Sequence, residues 1–422
     1  MAARLAFSSY KLDKGYQEKD GAVFLAENDG SRLSCLAAGR GRITFAWAPN
    51  GQQLAFIARS DLLDASTAAL YVVDADGSNQ RRLAIDPHLR ALSWSPDSQR
   101  LAFTSEEDAV DSTTLAHLYV IDADGSHLRR LASDLYLYLV AWSPDSQQIA
   151  LLSSPHQVTK AVSSLWLLAI DGSNPRRLTE EQTNLRSPCW LPDNQHLSVC
   201  WYRDEGVGVY LIDTATWRLD LLGHGAEPTW SPDKNHVAFV GRDKEGESAV
   251  YVVDIRSRAS RCFTFEGRPY LSRLAWSSDG QRLALAANRQ LSMIDRHSSQ
   301  SSALAEMWFD TDFSWSPDGK EIAFISDSDP DSYVALEIID VESRQRRVLA
   351  RDVTFDEMVP DTPLWSPDGS QIAFPAFLDD GTQDVYAIDA DGSNRRCLSN
   401  STAEDFIDSM AWRPEPRTLP GA

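Results

Sequence analysis

A tryptophan in a nearly fixed phrase recurs nine times along the chain, as Trp47, Trp94, Trp142, Trp190, Trp230, Trp276, Trp315, Trp365 and Trp412. The intervals are about 39 to 50 residues, the length of one supersecondary unit in a repeat protein. A unit of that size cannot bury its apolar face without neighbours. The chain therefore has to be read as an array before any local motif is interpreted.

Each interval carries the same internal text. A turn phrase follows the tryptophan (SPDSQ at 95–99, SPDGK at 316–320), then an apolar run (LAFTS at 101–105, IAFIS at 322–326), then a loop of variable length. Next comes a β-rich run ending in aspartate, as in LYVVD (70–74), LYVID (118–122), VYLID (209–213) and VYVVD (250–254). The unit closes on an arginine-rich segment such as RRL (81–83, 129–131, 176–178) or RRV (346–348). Short β-branched and aromatic runs set off by Pro, Asp, Gly and Asn turns are strand signals, and four strands, a to d, make one propeller blade.

The termini supply one blade between them. Residues 4–7, 22–26 and 31–37 read as strands b, c and d with no strand a before them, whereas DSMAW at 408–412 is a strand a with nothing after it. Pairing the two ends removes both open sheet edges. The expected fold is all-β, a single closed β-propeller over 1–422 with a composite blade from 1–40 plus 405–413 and a short disordered tail at 414–422. It has nine blades, or eight if the irregular stretch between Trp190 and Trp276 does not form two.

Residues around the tryptophan say what it is for. Two positions before it stand apolar residues such as Phe45, Leu92, Val140, Leu274 and Phe313; one position before it stand small ones such as Ala46, Ser93, Ala141, Ala275 and Ser314. By the period of two in a strand, these lie on opposite sheet faces. The ring is thus expected to fill the space between neighbouring blades.

The phrase W-S-P-D-G/S, then I/L-A-F, then I/L-Y-V-x-D-A-D-G-S-N, then R-R-L resembles the repeat of the TolB-like β-propeller family, a relative of the WD repeat, over nearly the whole chain. The resemblance implies a propeller without the α/β domain or the peptidase domain that other members carry. Related propellers serve as protein-binding platforms in the bacterial Tol envelope system, as gating domains of prolyl-oligopeptidase-type enzymes, and in some cases as lyases.

A formal charge of −21 opposes the phosphate backbone, so nucleic acid is excluded as a partner. No run approaches the roughly 20 apolar residues of a membrane span, and MAARLAFSSYKLDK lacks the parts of a secretion signal. As written the chain reads as a cytoplasmic monomer, export remaining open if a signal has been trimmed. Five cysteines, an odd number without a C-x-x-C pair, read as free thiols.

The sequence contains no G-x-S-x-G elbow, Walker loop, H-E-x-x-H or dinucleotide fingerprint. Eight histidines are scattered without metal-ligand spacing. No cofactor is implied, and the chain reads as non-catalytic. The aspartate-rich phrases VDADGSN (73–79) and IDADGSN (388–394) lack the later bidentate acid of a calcium loop and fit c-to-d hairpin turns. A weak metal candidate is the alternating set Asp327, Asp329 and Asp331 in one b-to-c loop.

In a propeller the a–b and c–d turns share one face and the b–c and d–a connections the other. Here the first kind is short and stereotyped and the second varies, so binding residues are expected on the variable face. Around its mouth fall Tyr136, Tyr270, Phe309 and Phe406, six before a tryptophan, and Arg90, Tyr138, Arg186, Asp361 and Asp408, four before one; Trp308 stands outside the repeat. Aromatics with arginine at an exposed rim have the composition of a protein-binding hot spot; the plain alternative is that they cap the blade tops. Asp310, Asp312, Asp352, Asp356, Glu357, Asp379, Asp380 and Asp384 crowd the same face near the C-terminal blades and would suit a basic partner. The expected function is a scaffold that binds a protein or peptide on the variable face. The alternative is a lyase-like enzyme, or a small-ligand or metal binder, using the central mouth.

Overall fold

A computed structural model describes residues 4–12, 18–59, 67–86, 88–108, 114–154, 164–179, 184–203, 206–264, 271–298, 301–307, 312–326, 334–351, 362–377, 382–399, 401 and 405–415. Among these residues every regular element is a β-strand, and the strands make nine four-stranded antiparallel blades in the order a-b-c-d across each sheet. The fold is the β-propeller, and the stretch between Trp190 and Trp276 does contribute two blades. No helix long and apolar enough to cross a membrane occurs among the described residues.

The blades fall into two compact units. One, Ala38–Pro228 with Pro414–Ala422, holds blade 1 (44–86), blades 2 and 3 (89–177) and blade 4 (184–224). The other, Met1–Ala37 with Thr229–Arg413, holds blade 5 from Thr229 to Thr264, blade 6 (271–306), blade 7 (313–350), blade 8 (364–397) and the composite blade 9 up to Ala37. In blade 9 the C-terminal strand Asp405–Trp412 pairs antiparallel with Arg4–Leu12, setting Leu5 opposite Trp412 and Phe7 opposite Met410.

Strand b is central in each sheet and covered on both faces, which is why it reads as a continuous apolar run rather than an alternating one. Leu54, Ala55 and Phe56 are fully buried, as are Ile322, Ala323 and Phe324. Strand d, at the sheet edge, carries the exposed arginines.

The tryptophans are staples between blades. Trp94 is buried among Ala55, Ile57, Leu70 and Val72 of the preceding blade, and its Nε1 donates to the Ala46 carbonyl at 3.0 Å. The same bond joins Trp190 to Ala141, Trp315 to Ala275 and Trp412 to Leu364. In each case the acceptor is the residue just before the preceding blade's own tryptophan, where small side chains recur. The Ser-Pro-Asp that follows is a turn network: Ser95 Oγ donates to Asp97 Oδ1 at 2.5 Å and accepts the Arg100 amide at 2.9 Å, while Asp97 Oδ1 accepts the Gln99 amide at 3.0 Å.

One connection departs from expectation. Blades 2 and 3 are joined by no loop at all: Arg129–Trp142 is a single strand whose first part pairs with strand c of blade 2 and whose second part pairs with strand b of blade 3. The two blades thereby form one seven-stranded sheet.

Candidate functional site

At the b–c end of blade 4, strand b (His196–Arg203) closes on Trp201, Tyr202 and Arg203, and strand c (Gly206–Asp213) brings Tyr210 beside them. Trp201 and Tyr210 meet edge to face with centroids 5.6 Å apart. The Arg203 guanidinium lies 3.6 Å from the Trp201 ring centroid and 5.1 Å from that of Tyr210. Trp201 pairs across the ladder with Gly208, and a Cβ there would stand 2.8 Å from the Tyr210 ring, so only glycine lets the tyrosine lie this way. On strand a (Asn184–Trp190), the Arg186 guanidinium stacks over Tyr202 at 4.8 Å.

Arg186 and Arg203 are both exposed, and neither has a carboxylate partner among the described residues. Stacking holds each guanidinium plane while its N–H edge stays open to an acceptor. Burial pushes the Cys200 thiol and the Tyr202 phenol above their ordinary values, so both keep their protons near pH 7. The five cysteines are free thiols.

In the other unit the entry strands of blades 6 to 8 are tied by a polar chain. Arg273, Asp312 and Thr362 each stand three residues before a repeat tryptophan. Arg273 Nη1 donates to Asp312 Oδ2, and Thr362 Oγ1 donates to the same oxygen at 2.5 Å. Among the described residues no group of three or more His, Cys, Asp or Glu side chains is disposed to hold a metal.

Of the residues singled out in the sequence, Arg90, Arg186, Phe406 and Asp408 have described side chains. Arg90 is exposed and pairs with Glu106 at 3.0 Å; Arg186 joins the blade 4 stack; Phe406 is half-buried and stacks on Tyr10 at 5.7 Å, with Asp408 half-buried in the same strand. Tyr136 and Tyr138 sit on the strand shared by blades 2 and 3 rather than on a loop, and their side chains lie outside the description. Tyr270, Trp308, Phe309, Asp361 and the alternating set Asp327, Asp329 and Asp331 lie outside the described residues.

Of the acidic residues near the C-terminal blades, Asp312 and Asp384 are described, and both are engaged internally. Asp384 is 7% exposed and accepts from Ser399 Oγ at 2.6 Å and the Ser401 amide at 3.0 Å. Trp201, Tyr202, Arg203 and Tyr210 belong to strands b and c, outside the positions ahead of the strand-a tryptophan that mark rim residues in the sequence.

A family model described as the TolB beta propeller domain matches residues 110–354, more than half of the chain. The Tol-Pal system protein TolB of Francisella tularensis subsp. mediasiatica is 22% identical over 262 residues, which is 58% of this chain and 58% of that protein. The TolB of Gluconobacter oxydans is 33% identical over 113 residues, 26% of this chain and 24% of that protein. The chain thus spans less than two thirds of the length of these relatives. Among solved structures, a eukaryotic initiation factor aligns over 99% of this chain and 100% of its own with a TM-score of 0.65 and 12% identity. Porphyromonas gingivalis dipeptidyl peptidase 4 aligns over 84% of this chain and 59% of its own with a TM-score of 0.60 and 12% identity. Both are likenesses of fold alone. Repeat phrase, blade content and family match agree, and the chain belongs to the TolB β-propeller domain family.

Proposed function

We propose that this propeller is a scaffold that binds a protein or peptide at its variable face, with the b–c end of blade 4 as the contact. The observation that carries the reading is the pair of exposed arginines stacked on Trp201, Tyr202 and Tyr210 without carboxylate partners among the described residues. Trp, Tyr and Arg are the residues most enriched in interface hot spots, because a flat ring and a planar cation offer large contact area at little entropic cost. Two open guanidinium edges favour a partner that presents carboxylates. The family relatives named as Tol-Pal system proteins agree with a role among other proteins.

Affinity capture from a lysate of the source cells, read by quantitative mass spectrometry, tests this. A protein held by the wild type should be lost ~10-fold or more when Arg186→Glu and Arg203→Glu are combined, since each removes a charge-assisted contact. The melting temperature should fall only slightly, since each exposed stacked cation contributes about 0.5–1 kcal/mol. Arg130→Glu, on the exposed strand-d edge of blade 2, is the control. Equal capture by the double variant and the wild type would move the contact away from blade 4.

A further inference from the structure

Eight of the nine c strands end on a carboxylate, at Glu27, Asp74, Asp122, Asp213, Asp254, Asp295, Asp340 and Asp389, whereas strand c of blade 3, Ser164–Ala169, ends on Ala169. Blade 8 displays what that carboxylate does. Gln371 Nε2 donates to Asp389 Oδ1 at 3.0 Å, Arg396 Nη2 to the same oxygen at 3.1 Å, and Asn394 Nδ2 to Oδ2 at 2.8 Å. Blade 1 repeats two of these bonds, from Gln53 and Asn79 to Asp74, at 3.1 and 2.9 Å.

Blade 3 keeps the donors and lacks the acceptor. Gln148 pairs across the ladder with Ala169 as Gln371 pairs with Asp389. Asn174 has φ 48° where Asn394 has φ 53°, so the turn follows the same path. Arg176 donates to the Thr214 carbonyl at 2.6 Å, and Arg396 to the Asn28 carbonyl at 2.7 Å; each acceptor is the first residue after strand c of the next blade. Among the described residues the side chains of Gln148 and Asn174 make no hydrogen bond.

Gln148, Ala169, Asn174 and Arg176 line one cleft of about 980 Å³ at the turn end of blades 2 and 3. Arg100 and Arg129 line it too, and its two acids are already engaged. Asp122 accepts from Arg100 at 3.3 Å and is bonded to His127 Nδ1 at 2.8 Å; Asp171 accepts the Ser173 amide at 2.8 Å, as Asp391 accepts that of Ser393 in blade 8.

We propose that this cleft binds a carboxylate, with Gln148, Asn174 and Arg176 taking the ligand as Gln371, Asn394 and Arg396 take Asp389. A planar carboxylate matches such a donor set, and charge-assisted bonds are the strong ones. The carboxylate would come from a free organic acid or from an acidic side chain of a peptide. The cleft is at the opposite end of the blades from the contact proposed above, and neither reading depends on the other.

Ligand-detected NMR titration with acetate, with a short aspartate-containing peptide and with chloride, at fixed ionic strength, decides the matter. Saturable acetate binding is expected with a Kd on the order of 1 mM, the level a ligand of so few atoms reaches, and none for chloride. Ala169→Asp places the sister blades' carboxylate in the cleft and should weaken acetate binding ~10-fold or more while raising the melting temperature. Asp389→Ala should create a second acetate site in blade 8. A peptide that binds more tightly than acetate identifies a protein side chain as the natural source, and equal binding identifies a free acid. Absence of saturable binding to the wild type, or wild-type affinity in Ala169→Asp, overturns the proposal, and the latter variant decides it even if Asp389→Ala fails to fold.

Discussion

Trp94→Phe and Trp142→Phe delete the same atoms from two blade interfaces, yet they should change stability by different amounts. The two rings are buried alike, at 7% and 8% exposure. Trp94 Nε1 donates to the Ala46 carbonyl at 3.0 Å, whereas Trp142 Nε1 is buried with no hydrogen-bond partner among the described residues. Shrinking indole to phenyl uncovers about 40 Å² of apolar contact, about 1 kcal/mol at either site. At Trp94 the lost hydrogen bond adds about 1 kcal/mol, for a destabilisation of about 2 kcal/mol. At Trp142 the substitution instead removes a buried, unsatisfied donor whose desolvation costs about 1–3 kcal/mol, so the net change runs from nothing to a stabilisation of about 2 kcal/mol. The variants should therefore differ by about 2–4 kcal/mol. Because a repeat array need not unfold in one step, the assay is hydrogen exchange by mass spectrometry on the b strands Arg100–Asp108 and Gln148–Ser154, read beside urea unfolding. Equal loss of protection in the two variants would refute the claim that the indole N–H, and not ring area alone, selects tryptophan at this position.

Two further outcomes follow from carboxylates that the blades hold by several hydrogen bonds. Glu337 is 5% exposed on strand c of blade 7, where Arg346 donates to both of its oxygens at 2.8 and 2.9 Å and Ser326 adds a third bond. Arg346→Met should cost about 3–5 kcal/mol by stranding the carboxylate, and adding Glu337→Leu should recover most of it; urea midpoints that stay equally low in the single and double variants would contradict this. In the turn of blade 5, burial raises the Asp233 pKa, but hydrogen bonds from Ser231 Oγ, Asn235 Nδ2 and the Asn235 amide outweigh it and hold the group at about 2. A depressed carboxylate stabilises the fold fully above its unfolded pKa near 4 and loses that contribution as pH falls through 2. The melting temperatures of wild type and Asp233→Asn should thus separate above pH 4 and converge towards pH 2, and a constant gap would argue against the linkage.

Elements that every blade must have were legible in the sequence, because one physical demand writes the same residue many times. Each interface needs a broad ring with one donor, so tryptophan returns; each c–d turn needs a carboxylate beside residues of positive φ, so aspartate returns before Gly77, Gly125 and Gly392. What one blade does alone was not legible in this way. The join between blades 2 and 3 passes through Ser133 and Asp134 with neither glycine nor proline, so nothing in the residues told a continuous strand from two strands and a loop. Asp384 reads as one more surface acid, yet the ladder buries it under Ser399.

The blade 4 cluster is itself a displacement of a repeat feature. In other blades an aromatic on strand b stacks on one directly opposite on strand c: Phe56 on Tyr71, Phe103 on Tyr119, Phe239 on Tyr251 and Phe374 on Tyr386, with centroids 5.2 to 5.9 Å apart. Blade 4 has Val199 at the strand b position, still opposite Tyr210. The tyrosine turns instead to Trp201, two residues nearer the b–c end and on the same sheet face by the period of two. Scaffold packing alone would be served by phenylalanine at 199, as it is in sister blades. Moving the aromatic partner outward carries the ring system from the blade core to the rim, where Arg203 covers it and solvent reaches it. Trp201 and Tyr210 keep one side packed on the buried core of blades 3 and 4, and the Arg203 guanidinium lies over the Trp201 ring. Under the proposed function, the departure from the repeat, rather than the exposure of any single side chain, is what sets this cluster apart from its sister blades.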